Sequence, residues 1–254
     1  MSGFKIIHRP NVRLCQLFII VGLTLLFEVL ARMGWLDPLI MPAPSKIFWG
    51  CFEKMISGEF FSRARTTGLE ILISTVITLI LSVFFGLLLW GLKDLGNVLE
   101  SFIMIFYSVP TIIFYPLFAV SLGIGTAPVI CVAVIMGALP IILNIKAGLS
   151  DVQPVFLNVA RSMNATRGQI FFKVILPAAA PLIFSGIKMG FVFMLIGVLA
   201  MEFLIPFDGL GYLVYWGYFT FDTVTLYAGI TYIILISVGA LYLLTLIEKR
   251  ITSV

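Results

Sequence analysis

The chain has 254 residues, 61% of them hydrophobic and 11% charged, with a formal net charge of +4. Soluble domains carry roughly 25% charged residues, so a water-soluble globular fold is excluded and an all-α polytopic membrane protein is expected. The basic excess calls for no nucleic acid, because membrane proteins collect Lys and Arg on cytoplasmic loops. The three cysteines, Cys15, Cys51 and Cys131, are too scattered for a disulfide framework or a metal site.

Residues 1–13 hold Lys5, His8, Arg9 and Arg13 and no acid, a flank that predicts a cytoplasmic amino terminus. The first span is expected over 14–31, interrupted by Glu28 and left uncleaved because no A-x-A site follows it. Residues 32–67 mix charges of both signs with Pro38, Pro42 and Pro44. The run of Ile47, Phe48, Cys51 and Phe52 predicts a short amphipathic helix on the outer surface. Five basic residues in that segment run against the positive-inside rule, but the first flank sets the assignment.

The second span is expected over 69–92. Its charge-free part, Ile71 to Leu92, is 22 residues long, about 33 Å as a helix against a bilayer core of about 30 Å. Glu70 sits at its edge, and Lys93 with Asp94 marks a turn. Ser101 to Ile145 carries no charge for 45 residues, which makes two spans, 99–122 and 127–147, divided at Gly123-Ile124-Gly125-Thr126-Ala127-Pro128. Pro110 and Pro116 each remove a backbone hydrogen bond from the third span. The stretch Tyr107, Pro110, Thr111, Tyr115 is therefore either a broken helix lining a pathway or a packing kink. The fifth span, 182–204, contains Lys188 and Glu202. Lys188 either snorkels to the cytoplasmic interface or faces a cavity. Glu202 either lines a translocation cavity or pairs across a subunit interface. After Pro206, Gly209, Gly211 and Tyr212 form a tight outer turn that can carry a short re-entrant helix, and it is either an outer gate or plain turn chemistry. The sixth span is expected over 224–247, with both termini cytoplasmic. The whole chain reads as one transmembrane domain.

Between spans four and five, residues 150–180 break the apolar pattern. Phe156, Val159, Ala160 and Met163 fall at i, i+3, i+4 and i+7, one face of a helix. Asn164 then suits a position with φ > 0, and Thr166 with Gln169 forms a T-x-x-Q capping box that starts a second short helix, expected to stop near Pro177. The exposed apolar face, rimmed by Arg161 and Arg167, suits a docking partner; an amphipathic pair lying in the headgroup layer is the alternative.

Catalytic patterns are missing. His8 is the only histidine, and the sequence has no H-E-x-x-H, G-x-S-x-G, C-x-x-C or P-loop. The 150–180 stretch resembles the EAA motif of permease subunits of bacterial ABC importers. The family pattern is E-A-A, three residues, G, nine residues, then I-x-L-P. It is matched by Asn158-Val159-Ala160, Asn164 and Val174-Ile175-Leu176-Pro177, with Asn158 in place of the glutamate and Asn164 in place of the glycine. Met41-Pro42-Ala43-Pro44-Ser45, Val109-Pro110, Gly123-Ile124-Gly125, Ala200-Met201-Glu202 and Gly209-Leu210-Gly211-Tyr212 are similar to the nitrate/sulfonate/taurine type of permease.

The resemblance implies six spans with a cytoplasmic coupling helix, in the cytoplasmic (inner) membrane of a bacterium. It implies no catalytic residue, metal or cofactor in this chain. ATP and Mg would be bound by a partner: two ATPase subunits would dock on the loop, alongside a second, identical or different permease subunit and a periplasmic or lipid-anchored binding protein. The expected cargo is a small anionic solute such as a sulfonate, nitrate or carboxylate, with a neutral heterocycle left open by Tyr107, Phe114 and Tyr115. An ion-gradient-driven transporter or channel, with Glu28, Lys188 and Glu202 as coupling groups, is the competing reading. The absence of an internal repeat counts against it.

Overall fold

In the computed structural model, residues 10–92 and 94–252 are described, and they fold as helices joined by short turns. The expectations attached to Lys5, His8, Arg9 and Lys93 fall outside them. Helix α1 (Pro10–Arg32) is apolar around its circumference and stands outside the core. It leads to α2 (Pro44–Ile56), which starts with Pro44 in its first turn, where a missing N–H costs nothing.

Helix α3 (Glu59–Gly91) is 33 residues long, about 50 Å. It begins well before the apolar run at Ile71 because nothing between Glu59 and Ile71 breaks a helix and Glu59 suits the positive N-terminal end. Helix α4 (Asp94–Ser108) is followed by a 3₁₀ turn (Thr111–Phe114) and α5 (Tyr115–Leu122). The two halves are bent by 76°, because Pro110 has no N–H to continue the ladder. The segment expected as one span is thus a broken one.

Helix α6 (Thr126–Ser150) is the central element, with Val129, Val132, Ala133, Ile141, Ile145 and Leu149 buried. After α7 (Pro154–Ser162) and α8 (Arg167–Ile170), a π-turn (Phe171–Ile175) leads into α9 (Leu176–Leu204). The chain ends with α10 (Leu210–Phe219) and α11 (Thr223–Thr252). Among the described residues, five helices are long and apolar enough to cross a membrane, and the bent pair makes up to six.

Neighbouring residues give the directions. Thr78 and Gly86 of α3 lie beside Gly137 and Ile145 of α6, so these helices run parallel. Gly148, Gly190 and Gly197 meet Ala179, Ile141 and Ala133 across the α6–α9 contact, so α9 runs antiparallel. The Phe60 and Tyr232 rings pack with centroids 4.2 Å apart and Lys188 reaches Glu248 at 2.6 Å, which sets α11 parallel to α3. The α1–α3 connection and residues 205–222 therefore share one membrane face, and residues 151–175 lie on the other.

Without a hydrophobic drive between helices in lipid, close backbone approach supplies the packing energy. A Cβ added to Gly137 would lie 2.9 Å from the Met194 Cβ, 3.0 Å from the Gly190 carbonyl oxygen and 3.2 Å from the Thr78 Cγ2. Three helices cross at that point because residue 137 has no side chain.

Candidate functional site

The 154–175 element is built from local backbone chemistry. Helix α7 opens on Pro154 and is stopped by Asn164, which takes φ 56°. The Ala165 N–H donates to the Ala160 carbonyl at 3.1 Å and the Asn164 N–H to the Arg161 carbonyl at 2.9 Å. This pair of bonds is a Schellman motif, with Asn164 in the left-handed position. Thr166 then caps α8. Its Oγ accepts from the Gln169 N–H at 3.4 Å, and its own N–H donates to the Gln169 side chain at 2.8 Å.

The second helix, expected to stop near Pro177, instead continues into α9, so Arg167 to Leu204 forms one 38-residue helical run. Pro177 cannot donate, and its ring crowds the carbonyl four residues back. The π-turn absorbs that clash, with the Leu176 N–H donating five residues back to Phe171. Phe171 also packs on Trp90 at the end of α3, with ring centroids 5.7 Å apart.

Phe156, Asn158, Val159, Arg161, Met163, Thr166, Arg167, Leu176 and Pro177 are all exposed. Ala160 is not: it is 6% exposed and turned into the loop. The free apolar face is therefore Val155, Phe156, Val159 and Met163, along a shallow groove whose other wall is Lys173 and Val174. At position 164 we expect glycine to be neutral or slightly stabilising. Valine should cost about 1–2 kcal/mol, because a branched side chain resists φ > 0. Protection of the Ala165 amide from hydrogen exchange should fall in the valine variant only.

At the other face, Glu202 does not line an open cavity. It is 1% exposed and caps a helix from a distance. Its Oε2 accepts from the Gly211 N–H at 2.7 Å, and its Oε1 accepts from the Thr67 hydroxyl at 2.6 Å. That hydroxyl in turn accepts from the Leu210 N–H at 2.9 Å. The first two amides of α10 are thereby satisfied by an anion at a helix N-terminus.

Gly209 takes φ 96° as the residue before α10 and offers no side chain for capping. A Cβ there would fall on the Glu202 carboxylate, and one on Gly211 would lie 2.7 Å from the Leu199 carbonyl oxygen. Tyr212 lies under the Arg63 guanidinium, 4.3 Å from the ring centre. Arg63 also donates to Asp208 at 2.5 Å, and Thr66 does so at 2.6 Å. Burial alone would raise the Asp208 pKa, but the Thr66 hydroxyl, the Arg63 guanidinium and the Gly209 N–H outweigh it and hold the carboxyl below its ordinary 3.8. The tie is therefore fully present above that value and is lost only as pH falls through the lower folded value.

Sequence reasoning noted Glu70 only as an acid at a membrane edge and gave Arg63, Thr66 and Thr67 no place in a site beside it. Their i, i+3, i+4, i+7 spacing, a polar stripe at the start of an apolar helix, was the available signal. Lys146 was a similar case. Nominally the end of a span, it is buried and bonded to Asn97 and Glu100 of α4.

Tyr107 and Tyr115 are half-buried on the bent α4–α5 segment, as is Thr111, while Pro110 is exposed. Tyr107 meets Phe193 edge-on at 5.7 Å, and Tyr115 packs on the α6–α9 core. None of the four is a polar partner of Glu202, whose contacts come from α3 and α10. Lys188 pairs with Glu248, and Glu28 with Arg32 and Ser45.

A probable ABC transporter permease protein of Brucella melitensis is 25% identical over 238 residues, covering 92% of this chain and 97% of its own length. The nitrate import permease protein of Synechocystis is 24% identical over 187 residues, 70% of this chain and 68% of that protein. Among solved structures, an inward-facing form of the MetNI methionine ABC transporter shares the fold. Its TM-score is 0.60 at 23% identity, and the match covers 74% of this chain and 92% of that one. The family model of the binding-protein-dependent transport system inner membrane component matches residues 78–253, well over half of the chain, and the protein belongs to that family.

Proposed function

We propose that this permease subunit of an ABC importer works by alternating access, driven by a separate ATPase subunit seated on the 154–175 element, which lies at the cytoplasmic face. The carrying observation is mechanical continuity. A helix stopped by a Schellman motif presents an exposed apolar face, and it joins a helical run that ends, across the membrane, on the carboxylate capping α10. Displacement of Phe156, Val159 or Met163 would be carried along α9 to Glu202 and the turn at Gly209, Gly211 and Tyr212. Those residues would act as the outer gate, and the bent Tyr107–Tyr115 segment would line the pathway completed by a second permease subunit. ATP and Mg would be held by the ATPase, and a binding protein would deliver the solute.

The cargo is proposed as a small anionic solute, in keeping with the nitrate permease relative. The cations Arg63, Lys146 and Lys188 are each paired with a carboxylate. Such a pathway offers passage rather than capture, which leaves selection to the binding protein. The same pairing disfavours an ion-gradient-driven transporter, since Glu28, Lys188 and Glu202 all have partners within the chain.

Val159→Asp and Met163→Asp test the docking face. Each is expected to weaken ATPase binding by about 10–100-fold, the cost of one anchor of about 1–3 kcal/mol at an interface core. The unfolding transition of the isolated subunit should be unchanged. Normal co-purification of the ATPase and normal uptake in both variants would sink the reading. Ala160 is unsuitable for this test because its replacement disturbs the loop itself.

A further inference from the structure

Helix α2 has three faces. Ile47, Gly50, Cys51 and Lys54, at i, i+3, i+4 and i+7, turn towards the bundle. A Cβ at Gly50 would fall on Val224, the Cys51 carbonyl accepts from the Tyr232 hydroxyl, and Lys54 reaches Glu59 at 2.8 Å. Ser45, Lys46, Trp49 and Glu53 form a polar edge with one amphipathic ring. Phe48, Phe52, Met55 and Ile56 form the third face, between 42% and 75% exposed.

The depth of α2 is set by its ties. The Glu28 carboxylate accepts from the Ser45 N–H at 2.9 Å and from the Ser45 hydroxyl at 2.7 Å. Glu28 lies four residues before the end of α1, about 6 Å inside it at 1.5 Å per residue. Tyr232 lies nine residues into α11, about 14 Å from its start. Both anchors are thus within spanning helices rather than at their tips. Helix α1, to which Ser45 ties α2, has none of its apolar span buried.

We propose that α2 is an in-plane interfacial helix. Phe48, Phe52, Met55 and Ile56 sink into the acyl chains of the leaflet opposite the 154–175 element, Trp49 sits among the headgroups, and Lys46 and Glu53 face water. The occupant of this face is a lipid surface. Ring-bearing residues at such a boundary gain by placing an apolar body in lipid and a polar edge in the headgroups. Tied to α1 and α11, the helix would hold the α1–α3 elbow at a fixed depth.

Single spin labels at 46, 48, 52, 53 and 55 test this in the full-length permease assembled with its ATPase in phosphatidylethanolamine/phosphatidylglycerol nanodiscs, with Cys15, Cys51 and Cys131 replaced by alanine. Labels at 48, 52 and 55 should be relaxed more by oxygen than by a water-soluble nickel chelate, and the sign should reverse at 46 and 53. Nickel access at 48, 52 and 55 would overturn the proposal in favour of an aqueous helix. Shielding from both reagents, with dipolar broadening between two copies, would assign the face to a second permease subunit instead. If the cysteine-free chain does not assemble, the wild-type complex in dibrominated lipid provides the same decision. Trp49→Phe should remove a lipid-quenched share of the tryptophan emission, and loss of an unquenched share would overturn the proposal.

Discussion

Glu202→Gln is expected to loosen the 205–211 turn and cut uptake severely, while Glu70→Gln leaves both nearly intact. Glu202 meets two donors, the Thr67 hydroxyl and the Gly211 N–H. A glutamine there must point its NH₂ group at one of them, leaving a buried donor unsatisfied at about 1–3 kcal/mol. The anion at the α10 N-terminus is lost as well, worth about 0.3–1 kcal/mol. Glu70 is also buried and lies within hydrogen-bond reach of Glu202. Two carboxylates in contact away from water cannot both be charged. Because Glu202 already accepts from two donors, Glu70 is the partner that donates. A glutamine at position 70 keeps an N–H for that purpose. Thermal unfolding of the detergent-solubilised subunit and uptake in proteoliposomes, measured for both variants, decide the matter. Equal losses would show that the two acids are interchangeable and would remove Glu202 from the capping role.

Gly137→Val should be the most damaging single change in the core. The added Cβ alone would press on the Met194 Cβ, a Gly190 carbonyl oxygen and the Thr78 Cγ2, at 2.9, 3.0 and 3.2 Å. One of these atoms is backbone, one is a Cβ and one is a methyl fixed directly to the Thr78 Cβ, so no long flexible side chain can move aside. Overpacking of this kind costs about 1–3 kcal/mol, occasionally more, and valine adds two further methyl groups to the crowding. The loss should appear as poor accumulation in the membrane and a lowered unfolding temperature. Gly91→Val, at a position where a Cβ meets nothing within 4 Å, serves as the control and should leave accumulation unchanged. Normal accumulation of the Gly137 variant would show that α6 and α9 can separate at this crossing.

The spanning architecture was legible because apolar runs of about 20 residues have few alternatives in lipid. The local signals at Asn164 and at Thr166/Gln169 were legible for a different reason: φ > 0 and a capping box are properties of a few adjacent residues. The helix through Pro177 was not, since proline ordinarily ends a helix and only a π-turn lets this one continue. Ala160 was placed on the docking face by spacing alone, and periodicity cannot say which edge of a broad stripe packs inward. Glu202 stood out as an acid inside a span, but its partners, Thr67 and Glu70, lie over 130 residues away in sequence. Pairings of that kind come from the parallel and antiparallel order of α3, α6 and α9, which no run of residues announces.

The π-turn at Phe171–Ile175 also has a rotational consequence. Each residue advances a helix by about 100°, and a π-turn accommodates one residue more than the regular spiral needs. An extra residue in a regular spiral would turn everything beyond it by that angle, and the widened turn takes it up instead. The bearing of Phe156, Val159 and Met163 around the α9 axis is therefore the one that a regular helix with one residue fewer would give. Removing one residue between Phe171 and Ile175 would leave that bearing nearly unchanged and return the clash between the Pro177 ring and the carbonyl four residues back. Phase, rather than affinity, is what the widened turn preserves.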